Sequence, residues 1–419
     1  MPRCVIRNAR LVTMDAHAQA CRGRDLNDLR VIGRGWIGID GDRIAKVEPG
    51  EPTAEWRSAP SLDAHGRIVM PGFVDCHTHA CWAGDRYEEW AMKLAGRPYQ
   101  EILAAGGGIL STVRAVRASS RDSLAHGLVQ RLREMLALGT TTAEVKSGYG
   151  LSTAHETMML DAIGDAAAQS AMRVVPTFLG AHAIDPDTPD FVDRTIAETI
   201  PAIAARWPGI CADLYCERGA WGLEDSLAYA RAAQTAGMPL RMHVDQFTDL
   251  GMVPHAIGLG ARTCDHLEAT SDDHLMALAR SSTIGVALPG SPFCLGGQFM
   301  RARAFVEAGG ALAIATNRNP GSSPVASMPF AVALAVRHMG LTHAQALWSA
   351  TWNAACALGV QDRCGALRTG MDADIALWPH TDERALAFEV AGPVPDLVLA
   401  RGTLAAAANP PDAVALDLT

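Results

Sequence analysis

Two kinds of hydrophobic pattern divide the chain. From Cys4 to Val12 apolar and polar residues alternate, the period of a half-buried strand. Gly35-Trp36-Ile37-Gly38-Ile39 and Arg43-Ile44-Ala45-Lys46-Val47 flank Asp40-Gly41-Asp42, and Asp-Gly between two such runs predicts a hairpin. After Phe73 the pattern changes to short apolar runs separated by long Ala- and Leu-rich stretches. The runs predict strands at 141–145, 173–178, 210–215, 239–244, 263–266, 283–288 and 311–316. With the strand leading to His77 they number eight, and helices such as 123–138 and 223–236 lie between them. Strands and helices alternating with a count near eight predict an α/β fold, a (β/α)₈ barrel. Strand patterns return at 374–378 and 396–400, while the Ala-rich 404–408 reads as a solvated tail. The expected layout is a small β-sandwich domain made by both termini (1–65 and 366–419) around a barrel spanning 66–365.

The composition narrows this picture. A chain of 419 residues, 49% of them hydrophobic, accommodates a barrel of roughly 250–300 residues and a smaller domain. A net charge of −9 without basic clusters argues against nucleic acid or an anionic membrane surface as partner. No run of 18 consecutive apolar residues occurs, and Met1-Pro2-Arg3-Cys4-Val5-Ile6-Arg7 reads into a strand rather than a signal peptide, so a cytoplasmic location is expected. The ten cysteines are scattered without a Cys-x-x-Cys and are expected to be reduced, mostly buried thiols, Cys76, Cys211, Cys264 and Cys356 among them.

The candidate chemistry begins at Pro71-Gly72-Phe73-Val74-Asp75-Cys76-His77-Thr78-His79. Side chains alternate faces along a strand, so His77 and His79 point the same way and can share one metal ion. In a barrel, active residues gather where strands end. His182 follows Phe178-Leu179-Gly180-Ala181, His243 ends Leu240-Arg241-Met242, Asp265-His266 ends the next strand, and Asn317 follows Ile314-Ala315-Thr316. A lone histidine is more often structural, but five at four strand ends point to a metallohydrolase. The Gly106-Gly107-Gly108 run lacks the strand before it and the Lys-Ser/Thr after it that a phosphate cradle needs. Lys146 follows a strand and is weighed as a carbamylated metal bridge, but a surface or turn lysine is the reading preferred.

These strand ends resemble the amidohydrolase superfamily, and within it the imidazolonepropionase family. The resemblance runs through most of the chain. It rests on the histidine pair, on Ala83-Gly84-Asp85-Arg86, on Tyr99-Gln100-Glu101-Ile102, and on Phe178-Leu179-Gly180-Ala181-His182-Ala183 and Asp265-His266-Leu267-Glu268. Its more specific parts are Lys146-Ser147-Gly148-Tyr149-Gly150-Leu151 and Asn319-Pro320-Gly321-Ser322-Ser323-Pro324. It implies a single divalent metal, zinc or iron, held by His77, His79 and His243 with Asn317 at the fourth ligand position, where the metal would activate water. It further implies that His266 steadies the oxyanion or the activated water and that Gln246 touches the ring. Arg86, Tyr99, Tyr149 and His182 would hold the ring and the propionate tail, a guanidinium being suited to a carboxylate. The implied reaction is ring opening of 4-imidazolone-5-propanoate to N-formimino-L-glutamate in histidine degradation, by a protein expected to form a homodimer.

Two positions depart from the family pattern. Asn317 stands where the family carries an aspartate, and a neutral amide cannot accept a proton as a carboxylate does. It is read either as an inactivated variant or as divergence toward other chemistry. The wall segment from Ser291 to Gln298 stands where relatives carry bulky aromatic and charged residues, Ala80-Cys81-Trp82 stands where aliphatic residues are commoner, and the small residues and a cysteine leave room for a larger or softer ring substituent. The alternative substrate is therefore a 2-thio, S-methylthio or N-methyl imidazolone or hydantoin propionate, from ergothioneine or methylhistidine breakdown, with C–S or C–N cleavage. A third reading, a non-catalytic metal-containing binding protein, takes Asn317 at face value.

Overall fold

The computed structural model describes residues 3–16, 19–97, 101, 106–390 and 393–408. Eight strands lie side by side in chain order: β6 (Phe73–Asp75), β7 (Thr140–Lys146), β8 (Arg173–Ala181), β9 (Cys211–Cys216), β10 (Leu240–Val244), β11 (Thr263–His266), β12 (Ile284–Ala287) and β13 (Leu312–Ile314). Each is paired in parallel with the next. Helices such as Arg121–Ala137, Thr153–Ala168 and Leu223–Thr235 provide the crossovers that parallel pairing requires. The predicted barrel is therefore present, with every predicted barrel strand displaced by three residues or fewer at its ends.

The first and last barrel strands close just beyond their ends. The His79 amide donates to the Arg318 carbonyl at 2.9 Å and the Asn317 amide to the His77 carbonyl at 3.1 Å. Closure is thus what brings residue 317 against the histidine pair, 240 positions away in sequence. The entry to β6 is tight: a Cβ at Gly72 would sit 2.2 Å from Thr141 Oγ1, so only glycine fits.

The strands of both termini form one continuous sheet in the order β16-β15-β14-β5-β1-β2-β3, with β4 also on β1. Here β1 is Cys4–Val12, β2 Val31–Asp40, β3 Arg43–Pro49, β4 Ser61–Asp63, β5 Ile68–Pro71, β14 Ile375–Leu377, β15 Leu397–Ala400 and β16 Thr403–Ala407. The Asp-Gly hairpin forms as expected, with Gly41 at φ +63°. Residues 404–408 do not form the expected solvated tail. Most of them belong to β16, which pairs antiparallel with β15, because β15 would otherwise present an unpaired edge. Likewise β5 lies past residue 65 yet belongs to this sheet, between β1 and β14. The sheet meets the barrel where Trp378 packs edge-on against Phe73, ring centroids 5.8 Å apart, a contact worth about 0.5–1.5 kcal/mol beyond the area it buries. All ten cysteines are free thiols, as expected, although Cys211 and Cys356 are only partly buried.

Candidate active site

His77, His79 and His243 meet at the carboxyl end of the barrel. Each offers one ring nitrogen, and the three nitrogens lie within 4.8 Å of one another. Their orientation follows from what lies beneath. His77 Nδ1 is 2.6 Å from Asp265 Oδ2 and His243 Nδ1 is 3.1 Å from Asp213 Oδ1. A carboxylate only accepts, so each Nδ1 carries the proton and each Nε2 turns its lone pair to the cluster. His77 Nε2, His79 Nδ1 and Asn317 Oδ1 are buried with no hydrogen-bond partner among the described residues, and His243 Nε2 lies 3.2 Å from His79 Nε2. Burial pushes the pKa of His77 and His79 well below the ordinary imidazole range and lowers that of His243, where Asp213 opposes it. Neutral imidazoles converging with unused lone pairs fit a divalent cation, and Asn317, whose backbone amide bonds the His77 carbonyl, adds a buried oxygen without a partner among the described residues.

The carboxylates under the histidines are themselves paired. Lys146 Nζ lies 2.6 Å from Asp213 Oδ2 and 2.7 Å from Glu144 Oε2, all three side chains fully buried. Arg241 approaches Glu144 Oε1 at 3.3 Å and donates to Asp265 Oδ2 at 3.0 Å and to the Cys76 carbonyl at 2.7 Å. Lys146 is therefore neither a surface lysine nor a turn lysine: it closes β7 pointing into the barrel, where its two carboxylates outweigh burial and raise its pKa. Both its amine contacts are carboxylates, so it acts as a counter-ion beneath the site.

The other predicted residues surround the cluster. His182 stacks on His79 with centroids 4.8 Å apart, its Nδ1 held by the Gly148 carbonyl at 2.9 Å, and Tyr149 lies 5.2 Å from the His182 ring. Burial pulls the His182 pKa down to about 3. His266 lies 5.6 Å from the His243 ring, and its Nδ1 faces Glu268 Oε1 at 3.1 Å. It sits at φ +85°, a conformation that a non-glycine residue keeps only when its surroundings enforce it. Gln246 accepts from the Tyr215 hydroxyl at 2.8 Å and donates to Ser291 at 3.2 Å. Arg86 grips Glu89 with Nε at 2.7 Å and Nη2 at 2.6 Å, and Lys93 shares that carboxylate. Arg86 also lies against Gly321, where a Cβ would come within 2.3 Å of its Nη1. Tyr99 lies outside the described residues.

A family model described as the amidohydrolase family matches residues 68–404. The chain belongs to the amidohydrolase family. Imidazolonepropionase of Herpetosiphon aurantiacus is 45% identical over 381 residues, 88% of this chain and 89% of that one. Imidazolonepropionase of Chloroflexus aggregans is 42% identical over 407 residues, 94% of this chain and 95% of that one. Among solved structures, atrazine chlorohydrolase TrzN from Arthrobacter aurescens TC1 complexed with zinc has a TM-score of 0.71 at 19% identity, covering 98% of this chain and 96% of that one. E. coli guanine deaminase has the same TM-score at 16% identity, covering 98% of this chain and 100% of that one. These two share the amidohydrolase fold with it.

Sequence reasoning missed the residues that only packing brings to the cluster. Asp213, Glu144 and Arg241 lie inside strands and carry no motif of their own. Tyr215, whose ring is 5.8 Å from that of His243, had only its place near a strand end as a signal. Glu268 was legible as part of Asp265-His266-Leu267-Glu268 but not as the partner of His266.

Proposed function

We propose that this amidohydrolase opens the ring of 4-imidazolone-5-propanoate, giving N-formimino-L-glutamate. The observation that supports this most is the meeting of His77, His79 and His243, next to which Asn317, bonded through its backbone amide to the His77 carbonyl, keeps a buried oxygen without a partner among the described residues, in a chain that matches imidazolonepropionases over most of its length. A divalent cation, zinc or iron, would be held by those four residues and would supply a Lewis acid that polarises the ring carbonyl and activates water.

The protein groups do the rest. Water adds to the ring carbonyl carbon, the bond from that carbon to the ring nitrogen breaks, and the nitrogen takes up a proton. The new carboxylate and the formimino group are the two halves of the opened amide. With asparagine at 317, His266 accepts the proton of the attacking water and returns one to the departing nitrogen, Glu268 holding its Nδ1 proton and so presenting Nε2. His79, His182 and Tyr149 line the ring's position. Arg86 and Lys93 around the single carboxylate of Glu89 leave a net positive charge for the propionate arm. Gln246, fixed between Tyr215 and Ser291, meets the polar edge of the ring.

The test is turnover by metal-loaded protein, followed by loss of imidazolone ultraviolet absorbance and mass-spectrometric detection of N-formimino-L-glutamate. An inactive protein that holds one equivalent of metal would sink the proposal.

A further inference from the structure

The opposite end of the barrel contains a cavity of about 480 Å³, formed where β8, β9 and β10 begin and where Arg262 leads into β11. Its size is within the roughly 300–1,000 Å³ of ordinary small-molecule sites. Its walls have two characters. Val175, Ile210, Leu358 and the indole of Trp207 make an apolar slot, whereas the charged residues at its edge are Arg206, Arg241 and Arg262, with no carboxylate among the lining residues. Arg262 is exposed, and among the described residues its guanidinium hydrogen-bonds the Leu358 carbonyl alone, at 3.4 Å. Arg206 is half out in solvent, paired with Asp161 and stacked 4.9 Å over the Trp207 ring. Arg241 is 1% exposed, and its Nε has no hydrogen-bond acceptor among the described residues. A buried guanidinium nitrogen without an acceptor is costly, and an anion beside it removes the cost.

We propose that this cavity binds a small organic anion with a flat apolar body, of the aromatic carboxylate class. The carboxylate lies toward the guanidiniums of Arg262 and Arg241, and the ring lies against Trp207 in the slot. Guanidinium forks match carboxylates in geometry, and an indole face gives a planar ligand stacking area. The site lies at the end of the barrel away from His77 and His243, and the reading does not depend on which reaction those residues catalyse.

The test is calorimetric titration of the full-length protein with benzoate, using benzamide as the uncharged control. Arg262→Ala and Arg86→Ala separate this cavity from the catalytic end. Arg241 is left unchanged because it also holds Asp265 and the Cys76 carbonyl. The expected result is a benzoate-binding component that is retained in Arg86→Ala, weakened at least ten-fold in Arg262→Ala and absent with benzamide. Tryptophan emission quenched by benzoate in the parent and not in Trp207→Phe places the ligand in the slot. No component that depends on Arg262, or benzamide binding as tightly as benzoate, would overturn the proposal.

Discussion

Two layers of polar groups lie one above the other inside the barrel. Below the site, the acidic side chains of Glu144, Asp213 and Asp265 alternate with the basic ones of Lys146 and Arg241, and each meets at least one of the other kind within 3.3 Å. At the site, His77, His79, His182, His243, Gln246 and Asn317 are neutral, and three of them keep a buried atom without a partner. Apart from the half-buried Gln246 both layers are buried, and both keep some polar atoms without a hydrogen-bond partner among the described residues, Arg241 Nε and Asp265 Oδ1 in the lower one included; what differs is that the lower layer sets charge against charge and the upper one sets uncharged rings and amides together. The difference shows how orientation and reactivity are divided: paired charges fix the rings, and the rings keep their lone pairs for a ligand. No carboxylate in the lower layer is left over to act as a base.

The comparison is broken most directly by placing a charge in the neutral layer. Asn317→Asp puts a proton-accepting carboxylate next to His77. It is expected to raise kcat by about 10²- to 10⁴-fold, the usual range for a general base, with little change in KM. Steady-state kinetics decide; equal rates in the two forms would leave His266 as sole acceptor, and His266→Gln would then abolish turnover while metal content stays unchanged.

Removing a charge from the lower layer is the converse. Among the described residues, Arg241→Met leaves Asp265 with only the His77 ring and Glu144 with only Lys146 as charged or ring partners, and it is expected to cost about 3–5 kcal/mol of stability, as loss of one partner of a buried ion pair does. Urea denaturation measures it, and a loss below about 1 kcal/mol would mean that water reaches these carboxylates. The coupling between layers is sharpened by Asp213→Asn, which keeps the shape but weakens the hold on His243. Metal affinity should fall by about 10- to 100-fold, as for other residues that orient a ligand. Arg86→Ala should leave metal content unchanged and raise KM, and equal metal loss in both would show that the two roles are misassigned.

The smallest effect is on pH. His182 in the folded protein has a pKa lowered to about 3 by burial, against 6.5 for an ordinary histidine. Between those values the unfolded chain binds the extra proton, so stability present above pH 6.5 is lost as pH falls, by at most about 1.4 kcal/mol per unit for this one group. Asp75, raised to about 6 by burial, acts in the opposite sense. The comparison is therefore with His182→Asn in metal-free protein: its urea midpoint should fall less steeply below pH 6.5 than the parent's, and parallel curves would show that His182 is protonated in both states.

Much of this was legible along the chain. Eight apolar runs alternating with helical stretches predicted the barrel, because period and length are local properties that a strand or helix expresses wherever it packs. The spacing of His77 and His79 and the placing of His182, His243, His266 and Asn317 after apolar runs marked the site, because parallel strands bring their carboxyl ends to one rim. What the sequence could not set was pairing between residues far apart along it. Lys146 read as a surface residue because a charge next to Ser-Gly usually is one; only the barrel puts Asp213 and Glu144 around its amine and makes burial tolerable. The stretch at 404–408 read as a tail because its small residues carry no alternation, and the free edge of β15 drew it into the sheet. Asn317 was visible as an amide in place of an acid, but its position against His77 depends on barrel closure. The sequence by itself determined which elements form and which side chains can bind metal; the tertiary structure decided which charges are paired and which lone pairs stay free, because both depend on distances between residues that only the closed barrel brings together.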